Sequence, residues 1–346
     1  MSETAQPAPS AATAALTSAG RIPAGRLEGL DGLRGIAALC VLYFHTLGIL
    51  HPEWGITGKG YLAVDFFFML SGYVMARTYE HRFAEGYGAR RFLIARYRKL
   101  WPFMALGALI GAPIVGSVLN DPARTLGIAI ANVFLVPAFG SGSVYPVNVA
   151  AWSILAELTA NLIHGLILWR LPTRVLALLS LCMVPVLCWI AATYGSLAVG
   201  AETATILAGI ARALLPYCIG IVLWRWWRDR PAIKVSPAIA FAAMPLLVLL
   251  WPAVHGLAWA YDVAFALVAC PLLMAGGLAC KHANAVIRWL GLISFPLYAI
   301  NLPILLWTKG LGLGAFAGVA SSLALASYLA LRPNERPAAK PAMAPA

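Results

Sequence analysis

The sequence has few charged residues for its length. Of its 346 residues, only 11% are charged and 61% are hydrophobic, and its mean hydropathy is +0.81. Soluble globular domains average about 25% charged and about 45–50% apolar residues, so this composition excludes an ordinary soluble domain. Most apolar runs span about 17–23 residues, long enough to cross a hydrocarbon core of ~30 Å. The sequence therefore predicts an all-α, polytopic membrane helix bundle.

Metal-binding and disulfide patterns are also missing. The six cysteines are scattered through apolar segments without a C-x-x-C pair, which predicts neither a disulfide framework nor a zinc site. We expect no bound metal or cofactor. The net charge of +12 is better explained by the positioning of membrane loops than by nucleic-acid binding.

The two ends of the chain are rich in Pro and Ala, and both are predicted to be disordered. The first 25 residues lack the basic start and the apolar stretch of a cleavable signal peptide. The predicted organisation is a cytoplasmic tail over 1–26, a membrane domain over 27–332 and a second cytoplasmic tail over 333–346.

Basic residues decide how the apolar runs cross the membrane. Eleven runs occur, near 33–50, 61–78, 100–119, 125–138, 149–169, 174–194, 204–224, 236–254, 258–279, 287–307 and 312–331. Cytoplasmic loops attract Lys and Arg. All the basic clusters fall on one side only if 125–138 does not cross fully. We therefore predict ten spans, a re-entrant or outer-surface segment at 125–138, and both termini in the cytoplasm.

Two ionisable residues share the first span. Arg34 and His45 are eleven residues apart, which places them about 20° apart on one helix face with an axial separation of ~16 Å. Asp31, three residues before Arg34, can pair with it if the helix extends that far. On the predicted topology, Arg34 lies at the cytoplasmic boundary and His45 lies in the outer half.

Other polar residues are expected at the depth of His45. Asp65, Glu157, Arg212 and Asn301 are each placed in the outer half of a span, and intramembrane ionisable groups mark function or pair with one another. Their convergence predicts a polar cavity. Three alternatives remain open: His45 as a packed hydrogen-bonding group, Glu157 and Arg212 neutralising one another, and Asp65 hydrated near the outer surface.

Five motifs resemble, in order, those of the acyltransferase-3 family of bacterial membrane O-acyltransferases. They are "LDGLRGIAALCVLYFH" with Arg34 and His45, "AVDFFFMLSGYVMAR" with Asp65, "RYRKLWP" with Arg96 and Lys99, "AAWSILAEL" with Trp152, Ser153 and Glu157, and "WLGLISFPLYAINLP" with Ser294 and Asn301. The chain departs from the family pattern at Lys99, where an Arg is usual, and at Asn301, where a His is usual. It resembles the stand-alone members that lack a fused esterase-like domain.

The resemblance implies transfer of an acyl group, commonly acetyl, from acyl-CoA as a co-substrate to a hydroxyl of an extracytoplasmic carbohydrate or glycolipid. It implies His45 as the base, with Glu157 or Asp65 orienting the imidazole. Asp31, Arg34, Arg96 and Lys99 would form the donor-binding end, since acyl-CoA phosphates need cationic contacts. Trp152, Ser153, Arg212, Ser294 and Asn301 are expected in the same polar cavity.

A proton-coupled transporter is the main rival interpretation, because outer-half acids and a His can also relay protons. A membrane scaffold with a packed polar core is a third. The five ordered motifs favour the acyltransferase.

Overall fold

The computed structural model describes residues 25–54, 58–140, 142–249 and 258–332. Eleven helices lie in these ranges: α1 Glu28–Leu50, α2 Ala63–Ala84, α3 Ala89–Leu119, α4 Pro122–Val133, α5 Ala151–Leu166, α6 Thr173–Tyr194, α7 Ile206–Trp227, α8 Pro237–Leu249, α9 Ala258–Ala279, α10 Ala285–Gly310 and α11 Ala315–Leu331. This confirms the predicted all-α membrane bundle. The two tails predicted to be disordered lie outside the described residues, apart from positions 25 and 26.

Six of the helices, α1, α3, α6, α7, α9 and α10, are long and apolar enough to cross a membrane. The other predicted spans correspond to α2, α5, α8 and α11, which pack into the same bundle. Helix α4 has 12 residues. At 1.5 Å per residue it is about 18 Å long, which is short of the ~30 Å hydrocarbon core. Its C-terminal end packs back on α3, where Trp101 Nε1 donates to the Val133 carbonyl oxygen at 2.8 Å.

Two pairs of parallel helices position the polar residues. In the first pair, Gly35 of α1 lies against Leu290 of α10, so closely that a Cβ on the glycine would overlap the Leu290 backbone. In the second pair, Gly72 of α2 lies equally close to the carbonyl group of Tyr217 in α7. Small residues allow helix backbones to approach in this way within a membrane. The close approach brings side chains of partner helices within hydrogen-bonding distance.

Pro303 leaves one carbonyl oxygen of α10 without its usual hydrogen bond within the helix, and a neighbouring loop binds it. Pro303 has no N–H, so it cannot donate to the carbonyl of Ala299 four residues earlier. That oxygen instead accepts a hydrogen bond of 2.9 Å from Asn148 Nδ2, in the loop before α5. The contact fixes α10 against the α5 entry at the level of Asn301.

Candidate active site

At one end of the α1/α10 pair, α10 holds the guanidinium of Arg34. Arg34 Nε donates to Ser294 Oγ at 2.8 Å, and Nη2 donates to the Gly291 carbonyl oxygen at 2.8 Å. Because α1 begins at Glu28, Asp31 lies on the same helix, and its carboxylate is 3.3 Å from Arg34 Nη2, as the spacing predicts. The Arg34 side chain remains 34% exposed, and its Nη1 makes no hydrogen bond within the described residues.

At the other end of the same pair, α10 holds the imidazole of His45. His45 Nδ1 lies 2.7 Å from Asn301 Oδ1. The ring also packs against Phe44, with ring centroids 5.6 Å apart. His45 is half-buried, and within the described ranges its Nε2 makes no hydrogen bond. Both residues of the opening motif are thus held by α10, while one side-chain nitrogen of each has no hydrogen-bond partner among the described residues.

Arg96 and Glu157 form an ion pair between α3 and α5. Arg96 Nη2 donates to Glu157 Oε1 at 2.6 Å, and Ser71 Oγ of α2 donates to the same oxygen at 2.7 Å. Both side chains are largely buried, with exposed fractions of 8% for Arg96 and 15% for Glu157. Arg96 Nε is buried and has no hydrogen-bond partner in the described part of the chain. A buried donor without an acceptor is costly, and an anionic group can satisfy it.

The cationic residues of this region influence one another electrostatically. The charges of Arg34, Arg96 and Lys99 interact with one another and with those of Glu157 and Asp31. Lys99 is exposed and makes no ion pair within the described residues. Direct contacts join Asp31 with Arg34, and Arg96 with Glu157.

The structure gives two carboxylates hydrogen-bond partners that differ from the predicted ones. The partner of His45 is Asn301, and neither Glu157 nor Asp65 hydrogen-bonds its imidazole. Glu157 also does not neutralise Arg212, because it pairs with Arg96. The physical reason is the rotation of each helix, which sequence spacing cannot give relative to its neighbours: α5 turns Glu157 toward α3.

Asp65 forms a closed ion pair with Arg212. Both carboxylate oxygens accept from the guanidinium, at 2.9 Å from Nε and 2.6 Å from Nη2, and the exposed fractions are 0% and 1%. The remaining donors of Arg212 bind the backbone oxygens of Tyr61 and Leu197. The open alternative of a hydrated Asp65 is therefore wrong. Each carboxylate oxygen of Asp65 and each guanidinium nitrogen of Arg212 thus has at least one partner.

The remaining predicted cavity residues are packed in the interior. The ring of Trp152 lies 5.9 Å from the Arg212 guanidinium carbon, and Ser153 Oγ lies 2.6 Å from the hydroxyl of Tyr298. Trp152, Ser153, Arg212, Ser294 and Asn301 are all buried. Ser294 and Asn301 support the two groups that remain partly exposed, Arg34 and His45.

Sequence reasoning missed several members of these networks. Ser71 lies in the motif segment "FFFMLSGY" and Tyr298 lies in "SFPLYAIN". Their positions within these two motifs are the sequence signal that could have identified them. A second buried ion pair, Lys59 with Asp262, shares Tyr61 with the Asp65–Arg212 network. Lys59 lies in a loop and Asp262 opens a span, so nothing in the sequence connects them.

An apolar groove of about 680 Å³ lies elsewhere, on the outer face of α3 and α5. Its wall includes Tyr97, Trp101, Phe134 and Leu158. None of the predicted site residues lines it. Its apolar lining is typical of a surface in contact with lipid, and it does not coincide with the polar site.

Comparison with known proteins identifies the family. A family sequence model described as an acyltransferase domain matches residues 27–331. The chain belongs to the acyltransferase-3 family. The matched range contains all five motifs of this acyltransferase, together with the Arg34 and His45 ends of α1.

Two relatives illustrate the range of the family. Protein 2 in the picA locus of Rhizobium radiobacter is 29% identical over 162 residues, which cover 41% of the acyltransferase and 83% of that protein. The peptidoglycan O-acetyltransferase OatA of Listeria monocytogenes is 30% identical over 115 residues, which cover 32% of this chain but only 17% of the relative. No solved structure matches the chain.

The family assignment makes the protein a multi-pass membrane O-acyltransferase. It favours an enzyme over the transporter and scaffold interpretations. Among the described residues, no group of three or more His, Cys, Asp or Glu side chains is arranged to hold a metal ion.

Proposed function

We propose that the protein transfers an acyl group, with acetyl as the expected case, from cytoplasmic acyl-CoA to a hydroxyl of an extracytoplasmic carbohydrate or glycolipid. The observation that carries the proposal is the α1/α10 pair. At one end it presents the guanidinium of Arg34 and at the other the imidazole of His45, and in the described part of the chain neither Arg34 Nη1 nor His45 Nε2 forms a hydrogen bond. One group suits an anion and the other suits a proton transfer.

The Arg34 end is the proposed donor site. Acyl-CoA carries phosphates, and Arg34, Arg96 and Lys99 are cations whose charges influence one another. The unpartnered Nε of Arg96 supplies a buried donor for such an anion. The pantetheine arm is about 15–20 Å long, comparable with the ~16 Å rise from Arg34 to His45, so one bound donor can span both ends.

His45 is the proposed base. As the acceptor hydroxyl oxygen attacks the thioester carbonyl carbon, its proton passes to His45 Nε2. The tetrahedral intermediate then collapses with cleavage of the C–S bond, and the imidazolium returns the proton to the leaving thiolate. The products are the ester and free CoA, and His45 returns to its neutral form. A positioned base of this kind contributes about 10²–10⁴-fold to the rate.

The proposed membrane orientation places donor and acceptor on opposite sides of a bacterial inner membrane. Basic clusters favour a cytoplasmic Arg34 end and two cytoplasmic termini. A C-terminal fusion to green fluorescent protein should then fluoresce, whereas the matching alkaline phosphatase fusion should be inactive. The opposite pair of results would reverse the orientation.

The test of function compares purified wild-type protein with His45→Ala in detergent. Radiolabelled acetyl-CoA is the donor, and either water or a methyl hexoside is the acceptor. We expect release of CoA at a rate at least about 100-fold lower in the variant, with acetyl-CoA affinity retained. Thr308→Val is the control, since the hydroxyl of Thr308 donates to the Ile304 carbonyl oxygen of its own helix.

Two outcomes test separately the role of His45 as the base and the assignment of acyl-CoA as the donor. Wild-type rates in a folded His45→Ala protein would remove His45 from the chemistry. Failure of the wild type to bind acetyl-CoA in a direct titration would remove the donor assignment.

A further inference from the structure

The amide of Asn301 has its orientation fixed by its own helix. Asn301 is fully buried in α10. Its Nδ2 donates to two backbone oxygens, those of Leu297 at 2.8 Å and Tyr298 at 3.0 Å. Turning the amide over would bring its oxygen against these two carbonyl oxygens and would lose both hydrogen bonds. The network therefore directs Oδ1 toward His45.

This orientation determines where the imidazole carries its proton. An amide oxygen only accepts hydrogen bonds, and Asn301 Oδ1 lies 2.7 Å from His45 Nδ1. His45 Nδ1 must therefore be the protonated nitrogen. In a neutral ring the other nitrogen, Nε2, then holds a lone pair. Within the described residues, Nε2 is the ring nitrogen that forms no hydrogen bond.

From this geometry we propose that Asn301 is a positioning residue, which holds His45 in the Nδ1–H tautomer so that Nε2 can accept the proton of the acceptor hydroxyl. The proposal rests on the proposed function for its catalytic consequence, although the tautomer itself does not. Asn301 replaces the His that the family resemblance leads one to expect. Its amide orients the ring without adding a charge.

The surroundings of His45 contain no closer orienting group. Phe44 packs against the ring, and Tyr61 lies beyond Phe44. The carboxylate of Asp65 forms an ion pair with Arg212. No ionisable side chain of the described ranges hydrogen-bonds the imidazole. A neutral amide therefore orients the ring as a carboxylate does in a Ser-His-Asp triad, but it stabilises the imidazolium less than a carboxylate would.

The direct test observes the tautomer. Protein labelled with ¹⁵N-histidine gives ring-nitrogen NMR signals, and those of His45 are assigned by their loss in His45→Ala. In the wild type we expect Nδ1 to be protonated and Nε2 to be unprotonated at a pH where the ring is neutral. Asn301→Leu, of similar size but without an acceptor, should shift the tautomer toward Nε2–H. An Nε2–H tautomer in the wild type, or one unchanged in Asn301→Leu, overturns the proposal.

The kinetic test measures CoA release from acetyl-CoA against pH. Asn301→Leu should lower kcat by about 10–100-fold, the usual cost of losing an orienting partner, with KM for acetyl-CoA within about twofold of the wild type. Asn301→Asp still accepts from Nδ1–H but adds a negative charge. Its maximal rate should stay within about fivefold of the wild type, while the acidic limb of its pH profile moves to higher pH by about one unit.

The results that would contradict the positioning role of Asn301 differ from those that would contradict the proposed function. Wild-type kcat in Asn301→Leu, or an unmoved acidic limb in an active Asn301→Asp, overturns the positioning role even if His45→Ala is inactive. Equal losses in both variants with a lowered unfolding temperature would assign Asn301 to packing alone. Thr308→Val, which removes another buried hydrogen bond of α10, should leave tautomer and rate unchanged.

Discussion

The two parallel helix pairs bury polar groups in opposite ways. In α2/α7, Asp65 and Arg212 satisfy one another with two hydrogen bonds, and both are sealed from solvent. In α1/α10, Arg34 and His45 each bind α10 through part of the side chain and remain partly exposed. A fully paired buried charge supports the fold, and a partly paired one retains the capacity to bind.

The difference shows which intramembrane residues to associate with chemistry. Both pairs carry ionisable groups within membrane spans, and by residue type alone both are functional candidates. The two pairs differ in their hydrogen bonds, because every nitrogen of Arg212 and both carboxylate oxygens of Asp65 have a partner in the pair itself or in the backbone. By this criterion of incomplete pairing, Arg96 resembles Arg34 and His45, because its Nε is buried without a partner in the described chain.

Breaking the closed pair should have the largest effect on stability. Asp65→Ala leaves the guanidinium of Arg212 buried without its counter-ion, which costs about 3–5 kcal/mol. We expect a sharply lowered unfolding midpoint in detergent, followed by tryptophan fluorescence, and little folded protein. The double variant Asp65→Leu with Arg212→Met should recover most of that loss, since a packed apolar pair of similar volume is often as stable.

The control for that experiment is Glu53→Gln, which removes a carboxylate exposed at the end of α1. It should leave the midpoint unchanged. If Asp65→Ala were as stable as Glu53→Gln, the closed pair would not support the fold, and the contrast between the helix pairs would fail.

Changing Arg34 should leave the fold intact and weaken donor binding. Arg34→Ala removes the guanidinium and should raise KM for acetyl-CoA by about 100-fold, equivalent to about 2.7 kcal/mol. Arg34→Lys keeps the charge but loses the fork that binds Ser294 and Gly291 together, so we expect a rise of about 10-fold. Isothermal titration with CoA checks both variants.

Arg230→Ala is the matched control, because Arg230 is an exposed cation beyond the end of α7. CoA affinity should be unaffected by its removal. An equal loss of affinity in Arg230→Ala and Arg34→Ala would indicate a general effect of net charge and would contradict a defined donor site.

Substitution of Glu157 tests whether the Arg96–Glu157 ion pair contributes to donor binding or to catalysis. Glu157→Gln keeps the shape of the side chain but removes the charge that holds Arg96. If Glu157 positions Arg96 for the donor, KM for acetyl-CoA should rise by about 10-fold while kcat changes by less than about twofold. A fall in kcat at constant KM would instead return Glu157 to the role of a catalytic carboxylate beside His45.

The sequence predicts each helix well and the contacts between helices poorly. Apolar runs locate the spans because a bilayer demands length and hydrophobicity, and the 100° rotation per residue puts Arg34 and His45 on one face. Helix α3 begins at Ala89, earlier than its apolar run, because charged residues such as Arg96 and Lys99 can continue a helix beyond the hydrocarbon. Bounds based on hydropathy alone miss that extension.

Which side chains pair between helices depends on how the helices are rotated and packed relative to one another, and a single sequence does not contain that information. Glu157 was expected to face His45 or Arg212, but the rotation of α5 relative to α3 directs it to Arg96. Asn301 was expected only as a polar group in place of a His. Its hydrogen bond to His45 depends on the close parallel packing of α1 on α10, which is visible only once the two helices are placed together.

The smallest expected effect concerns Lys99, the exposed cation of the donor end. Since Lys99 forms no ion pair within the described residues, Lys99→Ala should leave the unfolding midpoint unchanged. Affinity for CoA should fall by only a few-fold at low salt and by less at 0.5 M salt, because exposed charges are screened. Lys99→Arg should bind CoA a few-fold more tightly than the wild type, since the guanidinium fork matches phosphate better than an ammonium does. Titrations of the three proteins with CoA at two salt concentrations measure these differences. An affinity that is equal in all three at low salt would place Lys99 outside the donor site and would limit that site to Arg34 and Arg96.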